Sequence, residues 1–139
     1  MDWSGAPDII RTICLNLDPQ EFDLKLVTGE TLKRTAKTEE FFRDFSSRVV
    51  IIPCLKRLIN PFHDVASLFR LYFFFRKEKP DIVNTHTAKA GVLGRLSAKL
   101  AGVKIVVHTP HGHNYYGYFN PFASKLVIIL ERFMSLFCD

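Results

Sequence analysis

The block from residue 80 to residue 121 constrains the fold more than any other stretch. It reads Pro80-Asp-Ile-Val-Asn-Thr-His-Thr-Ala-Lys-Ala-Gly-Val-Leu-Gly-Arg95, passes through a small-residue segment, and resumes as Lys104-Ile-Val-Val-His-Thr-Pro-His-Gly-His113 before an aromatic run to Pro121. A short β-branched run ends in polar residues, a helical pattern follows, and a second β-branched run ends in three histidines. That order describes parallel strands joined by a crossover helix. In open α/β sheets, ligands bind at the carboxyl ends of the strands. Here those ends carry Asn84, His86, His108, His111 and His113, so the block predicts a site edge as well as a packing unit.

The rest of the chain alternates in the same way. A helix is predicted over 6–17 and a strand over 22–28. The charged segment 30–47 is a loop or short helix, and a short buried strand over 49–52 stops at Pro53. Further helices are predicted over 63–78, 88–101 and 122–137, with strands over 81–84 and 104–107. Strands alternating with helices argue for a parallel sheet covered on both faces. The fold class is therefore α/β with a mostly parallel sheet.

Within 88–101, Ala90, Gly94, Ala98 and Ala101 recur at spacings of three and four and make a smooth face. Glycine inside a helix costs about 1 kcal/mol relative to alanine. Gly94 therefore needs a compensating reason, and close packing on the sheet supplies one. Gly91, in the first turn, stands open between packing and the approach of a phosphate or sugar to the backbone amides. The last helix places Ser124, Lys125, Glu131, Arg132 and Ser135 on one polar stripe, and its wide apolar remainder reads as core.

At 139 residues the length fits one domain. Nineteen Lys and Arg against fourteen Asp and Glu give +5, which suits nucleic acid, anionic lipid or phosphorylated ligands without choosing among them. No nucleic-acid-binding motif accompanies the charge, so nucleic acid is not an expected partner. The three cysteines are far apart and form neither a disulfide framework nor a zinc motif, which points to a reducing, cytoplasmic setting. Segment 68–79 mixes aromatics with Arg70, Arg76, Lys77 and Lys79. That composition suits a helix resting on an anionic membrane surface, and it equally suits a half-buried helix.

With these residues in view, the block 80–121 resembles the amino-terminal domain of family 4 glycosyltransferases, and the likeness extends over nearly the whole chain. Ser4-Gly-Ala-Pro-Asp8 is similar to the family's glycine-rich loop after its first strand, with Ser4-Gly5 in place of the usual pair of glycines. Asn84 stands where members often have histidine. The resemblance implies a Rossmann-like three-layer domain, the amino-terminal half of a GT-B architecture. It further implies transfer of a sugar from a nucleotide sugar to a sugar or lipid-linked acceptor, usually with retention, and no cofactor. The expectation is an incomplete acceptor-side domain over 1–139, lacking its first strand and its carboxyl-terminal donor domain. The alternative is a non-catalytic sugar- or lipid-phosphate-binding module.

The resemblance implies that His111 lies in the catalytic site, near the donor sugar. It places Gly5 and Ala6 at the donor diphosphate, where a helix start offers free amides and a positive dipole. The candidates for acceptor or substrate binding are His86, Lys89, Gly91, Arg95, His113 and Tyr116. His86 ends a strand, and Lys89 flanks a helix start where a cation can meet a phosphate. Arg95 is either a ligand contact or a surface cation. Tyr115, Tyr116, Tyr118 and Phe119 offer faces for a sugar ring or pack their own loop. Three histidines invite a metal reading. Residues at a strand end alternate between faces, however, and residues 86–120 contain no acidic side chain, so no metal is expected.

Overall fold

In a computed structural model of the chain, residues 5–30, 36–111 and 120–139 are described. The chain divides into two compact units, Met1–Leu58 and Ile59–Asp139.

The first unit contains α1 (Gly5–Asn16), β1 (Leu26–Thr28), α2 (Ala36–Asp44), a 3-10 turn (Ser46–Arg48) and β2 (Val49–Ile51). The strands pair in parallel, Leu26 with Val49 and Thr28 with Ile51. Cys14, Phe41 and Phe45 form the core, with Ile10, Leu24, Leu26 and Val49 packed against it. Phe41 and Phe45 stack one helical turn apart, with ring centroids 5.4 Å apart. Burial raises the Cys14 thiol pKa, so this cysteine is an inert core residue. β1 is shorter than the predicted strand because β2 gives it only three residues to pair with, ending ahead of Pro53. Segment 30–47, for which the sequence allows a loop or a short helix, contributes α2.

The second unit contains α3 (Pro61–Glu78), β3 (Ile82–His86), α4 (Ala88–Ala101), β4 (Ile105–Thr109), α5 (Pro121–Met134) and a closing 3-10 turn (Ser135–Phe137). Two helices begin by the same device. Asn60 accepts from the amides of Phe62 and His63 ahead of Pro61, and Asn120 accepts from the amide of Ala123 ahead of Pro121. An asparagine cap followed by proline in the first turn satisfies free amides and presets the helical φ. α3 ends at Lys79 in the left-handed region (φ 51°) before Pro80, and α4 ends at Gly102 (φ 81°).

β3 and β4 pair in parallel over five residues, from Ile82 with Ile105 to His86 with Thr109. α4 packs on this pair, and α3 packs beside α4 through the fully buried Ser67 and Ser97. Ser97 Oγ donates to the Leu68 carbonyl at 3.1 Å. Gly94 is where it must be: a Cβ there would lie 2.7 Å from Thr85 Cγ2. Ala98 and Ala101 are buried on the same helix, as the small-residue spacing predicts. The outer edge of β4 is met by Asp139, whose amide donates to the Val106 carbonyl and whose carboxylate accepts from the Val106 amide and from Lys99.

The architecture is α/β with parallel strands, as expected, but two features differ. Strands of the second unit are covered by α4 on one face, while Ile82, Ile105 and Val107 on the other are 50, 44 and 37% exposed. α5 docks by a mixed face rather than by its whole apolar surface: Met134 is buried and Val127, Ile128 and Glu131 are half-buried, while Phe122, Leu126, Ile129 and Phe133 are exposed. The reason is charge: Arg95 on α4 is buried, and Glu131 supplies its partner.

Candidate active site at the ends of β3 and β4

Strand alternation sorts the histidines. Val83, Thr85, Val106 and His108 face α4, and the residues between them face the opposite side. A Cβ on Gly91 would lie 2.4 Å from His108 Cε1, so α4 presses directly on that ring. His108 Nδ1 is 3.1 Å from the Thr85 carbonyl and 3.0 Å from Thr85 Oγ1. A carbonyl only accepts, so Nδ1 carries the proton and the tautomer is fixed. Thr85 Oγ1 in turn donates to the Val107 carbonyl. Burial lowers the His108 pKa, helped by the Arg95 guanidinium. His108 is thus a half-buried neutral residue tying β3 to β4.

The other face carries the open chemistry. His86, the last residue of β3, meets His111, two residues past β4. His86 Nδ1 lies 2.9 Å from His111 Nε2, with ring centroids 5.1 Å apart. Asn84 shares this face and accepts from Thr109 Oγ1 at 3.3 Å. Burial, reinforced by the His111 and His108 rings, pulls the His86 pKa from 6.5 to about 4. Between these values the unfolded chain binds more protons than the folded one. This contribution to stability is whole above pH 6.5 and is lost as the pH falls towards 4. The melting temperature of the chain should therefore drop across that window, and His86→Asn should make the drop shallower. An unchanged slope in the variant would show that His86 is not held neutral.

The remaining candidates fall in different places. Lys89, in the first turn of α4, forms an ion pair with Asp64 in the first turn of α3. Asp64 also accepts from the Asn60 amide. Arg95 is neither a surface cation nor on the open edge. Its side chain is 2% exposed, its Nη2 meets Glu131 at 3.0 Å, and its Nε donates to the Gly91 carbonyl at 3.1 Å. A cation needs that degree of pairing to be buried, which is why it is not free to reach a ligand. Gly91 is committed to His108. Gly5 and Ala6 open α1 in the first unit, at a helix start as predicted. His113 and Tyr116, with Tyr115, Tyr118 and Phe119, lie outside the described residues. His108 and His111 occupy opposite faces, and no cluster of three metal-ligating side chains occurs among the described residues.

Thr87 is the feature that sequence reasoning missed. It links His86 to α4 with φ 66° and ψ 160°, a region that is nearly glycine-only and costs of order 1–3 kcal/mol for other residues. A β-branched residue gives no sequence signal for such a conformation. The Gly91 amide donates to its carbonyl at 2.8 Å and helps hold it there.

A histidine-bearing edge at the ends of parallel strands fits many chemistries, so comparison with known proteins decides the family. The profile of Glycosyltransferase Family 4 matches residues 3–139. The chain belongs to glycosyltransferase family 4. A relative from Escherichia coli, UDP-Gal:alpha-D-GlcNAc-diphosphoundecaprenol alpha-1,3-galactosyltransferase, is 38% identical over 121 residues, covering 87% of this chain and 29% of that protein. The capsular polysaccharide biosynthesis glycosyltransferase CapM of Staphylococcus aureus is 34% identical over 70 residues, covering 50% of this chain and 18% of that protein. This family 4 chain thus spans less than a third of the length of the curated relatives it matches. No solved structure matches it.

Proposed function

We propose that this family 4 chain is the acceptor-side domain of a two-domain glycosyltransferase, moving a sugar from a nucleotide sugar to a lipid-linked acceptor in polysaccharide biosynthesis. The observation that carries the reading is the family match over residues 3–139. The diphosphoundecaprenol substrate named for the Escherichia coli relative supports a lipid-linked acceptor. His111, at the strand ends where such sheets bind ligands, meets the donor sugar. Gly5 and Ala6 offer helix-start amides to the diphosphate, where departing negative charge needs donors. His113 and Tyr116 belong to the acceptor side, and a carboxyl-terminal domain holds the nucleotide. The test is transfer by the full-length protein from a panel of nucleotide sugars to sugar-diphosphate lipids. Turnover with a lipid-linked acceptor supports the reading, and absence of transfer from every donor overturns it.

The acceptor chemistry asks for a membrane surface, and α3 provides a face for one. Phe62, Val65, Phe69 and Phe73 are 88, 52, 56 and 64% exposed. They recur at helical spacing opposite the buried Ser67, Leu71 and Phe75. Exposed Arg70, Arg76 and Lys77 accompany them. Apolar side chains flanked by cations are what an interfacial helix needs. Among the described residues no helix is long and apolar enough to cross a membrane. Each cation near an anionic leaflet contributes about 1 kcal/mol, so the full-length protein should co-sediment with anionic vesicles at low salt and release at high salt. Equal, negligible recovery with anionic and neutral vesicles would remove α3 as a contact and favour a soluble acceptor.

A further inference from the structure

We propose that His86 is a positioning residue, whose Nδ1 holds the His111 ring in one tautomer and one orientation. This rests on the reading of His111 as the group that meets the sugar. The 2.9 Å contact between His86 Nδ1 and His111 Nε2 is a full hydrogen bond. Two imidazoles joined through nitrogen share a single proton: one ring donates and the other accepts through its lone pair. Once that bond forms, the tautomer of either ring dictates that of the other. The outer nitrogen of His111, Nδ1, is then fixed as donor or as acceptor.

The two rings are not equally anchored. His86 closes the β3–β4 ladder opposite Thr109. It is followed by Thr87, whose positive φ sets the chain direction into α4. His111 lies beyond the ladder, past Pro110, which has no amide to pair. The anchored ring therefore orients the unanchored one. Partial burial keeps the His86 imidazole neutral at pH 7, so its Nδ1 can serve the bond either as donor or as acceptor. Orientation of a ligating histidine through its second nitrogen is a common device at metal sites, and here the partner is another imidazole.

Two variants separate positioning from direct contact. Asparagine places an amide where Nδ1 stands, able to donate or accept, and offers nothing at the Nε2 position. Leucine has the same shape and no polar atom. Nitrogen NMR of the full-length protein at neutral pH should show one protonated and one unprotonated nitrogen on His111, retained in His86→Asn and averaged in His86→Leu. In the full-length enzyme, a lost hydrogen bond corresponds to up to about tenfold in kcat for His86→Leu, and His86→Asn should stay within about threefold. Averaged His111 signals in the unsubstituted chain overturn the proposal. So does equal impairment of both variants, which would put His86 itself on the ligand. The spectra of the unsubstituted chain and the Asn variant decide the matter even where the Leu variant does not fold. Because they need no turnover, they stand apart from the glycosyltransferase reading.

Discussion

Glu131→Ala is expected to destabilise the chain by about 3 kcal/mol, and by more than Arg95→Met. The two partners of this ion pair are not equivalent. Arg95 is 2% exposed and Glu131 is 32% exposed. Removing the carboxylate leaves a guanidinium buried without its counter-charge, which is the costly case. Removing the guanidinium leaves a carboxylate that water reaches, and methionine keeps much of the lost packing. Denaturant titration of the two variants gives the order directly. A larger loss in Arg95→Met would mean that the packing of the guanidinium and its contacts to the Gly91 carbonyl on its own helix and to Cys138 outweigh its pairing with Glu131. Neither variant touches the His86–His111 pair, so a stable enough variant of the full-length protein should keep its KM.

His111→Ala, in the full-length protein, should lower kcat by about 100-fold, the effect of losing one positioned donor at developing charge. Its melting temperature should change little. His111 is only part-buried and lies past the end of β4, so its removal opens no core cavity. Turnover and thermal unfolding, measured together, separate the possibilities. A collapse in melting temperature matching the loss of activity would make His111 structural, and near-normal turnover would take it out of the mechanism.

What the sequence disclosed follows a physical pattern. The helix over 88–101 is located to the residue, because Ala and Gly at spacings of three and four can be read without knowing any partner. α3 and α5 start one or two residues ahead of the predicted positions, since Asn60-Pro61 and Asn120-Pro121 are caps that precede the apolar periodicity. Both long helices bury less of their apolar surface than their patterns suggest. Periodicity reports which side chains share a face, and it does not report which face docks. Arg95 illustrates the same limit: its burial depends on Glu131, thirty-six positions away, and no local pattern encodes that pair. The histidines were recognisable as candidates from their position at strand ends. Their division into a structural ring and a facing pair needed the register Thr85 with His108. Thr87 left no trace at all, because its conformation is one that sequence habits assign to glycine.

The alternation in β3 and β4 turns two short segments into a ruler for experiment. Positions 83, 85, 106 and 108 point at α4, while 84, 86, 109 and 111 look the other way. A substitution scan scored separately for abundance and for transfer would then oscillate with a period of two. Abundance would fall at the first set and transfer at the second, so a one-residue error in the assigned register would exchange the two profiles completely.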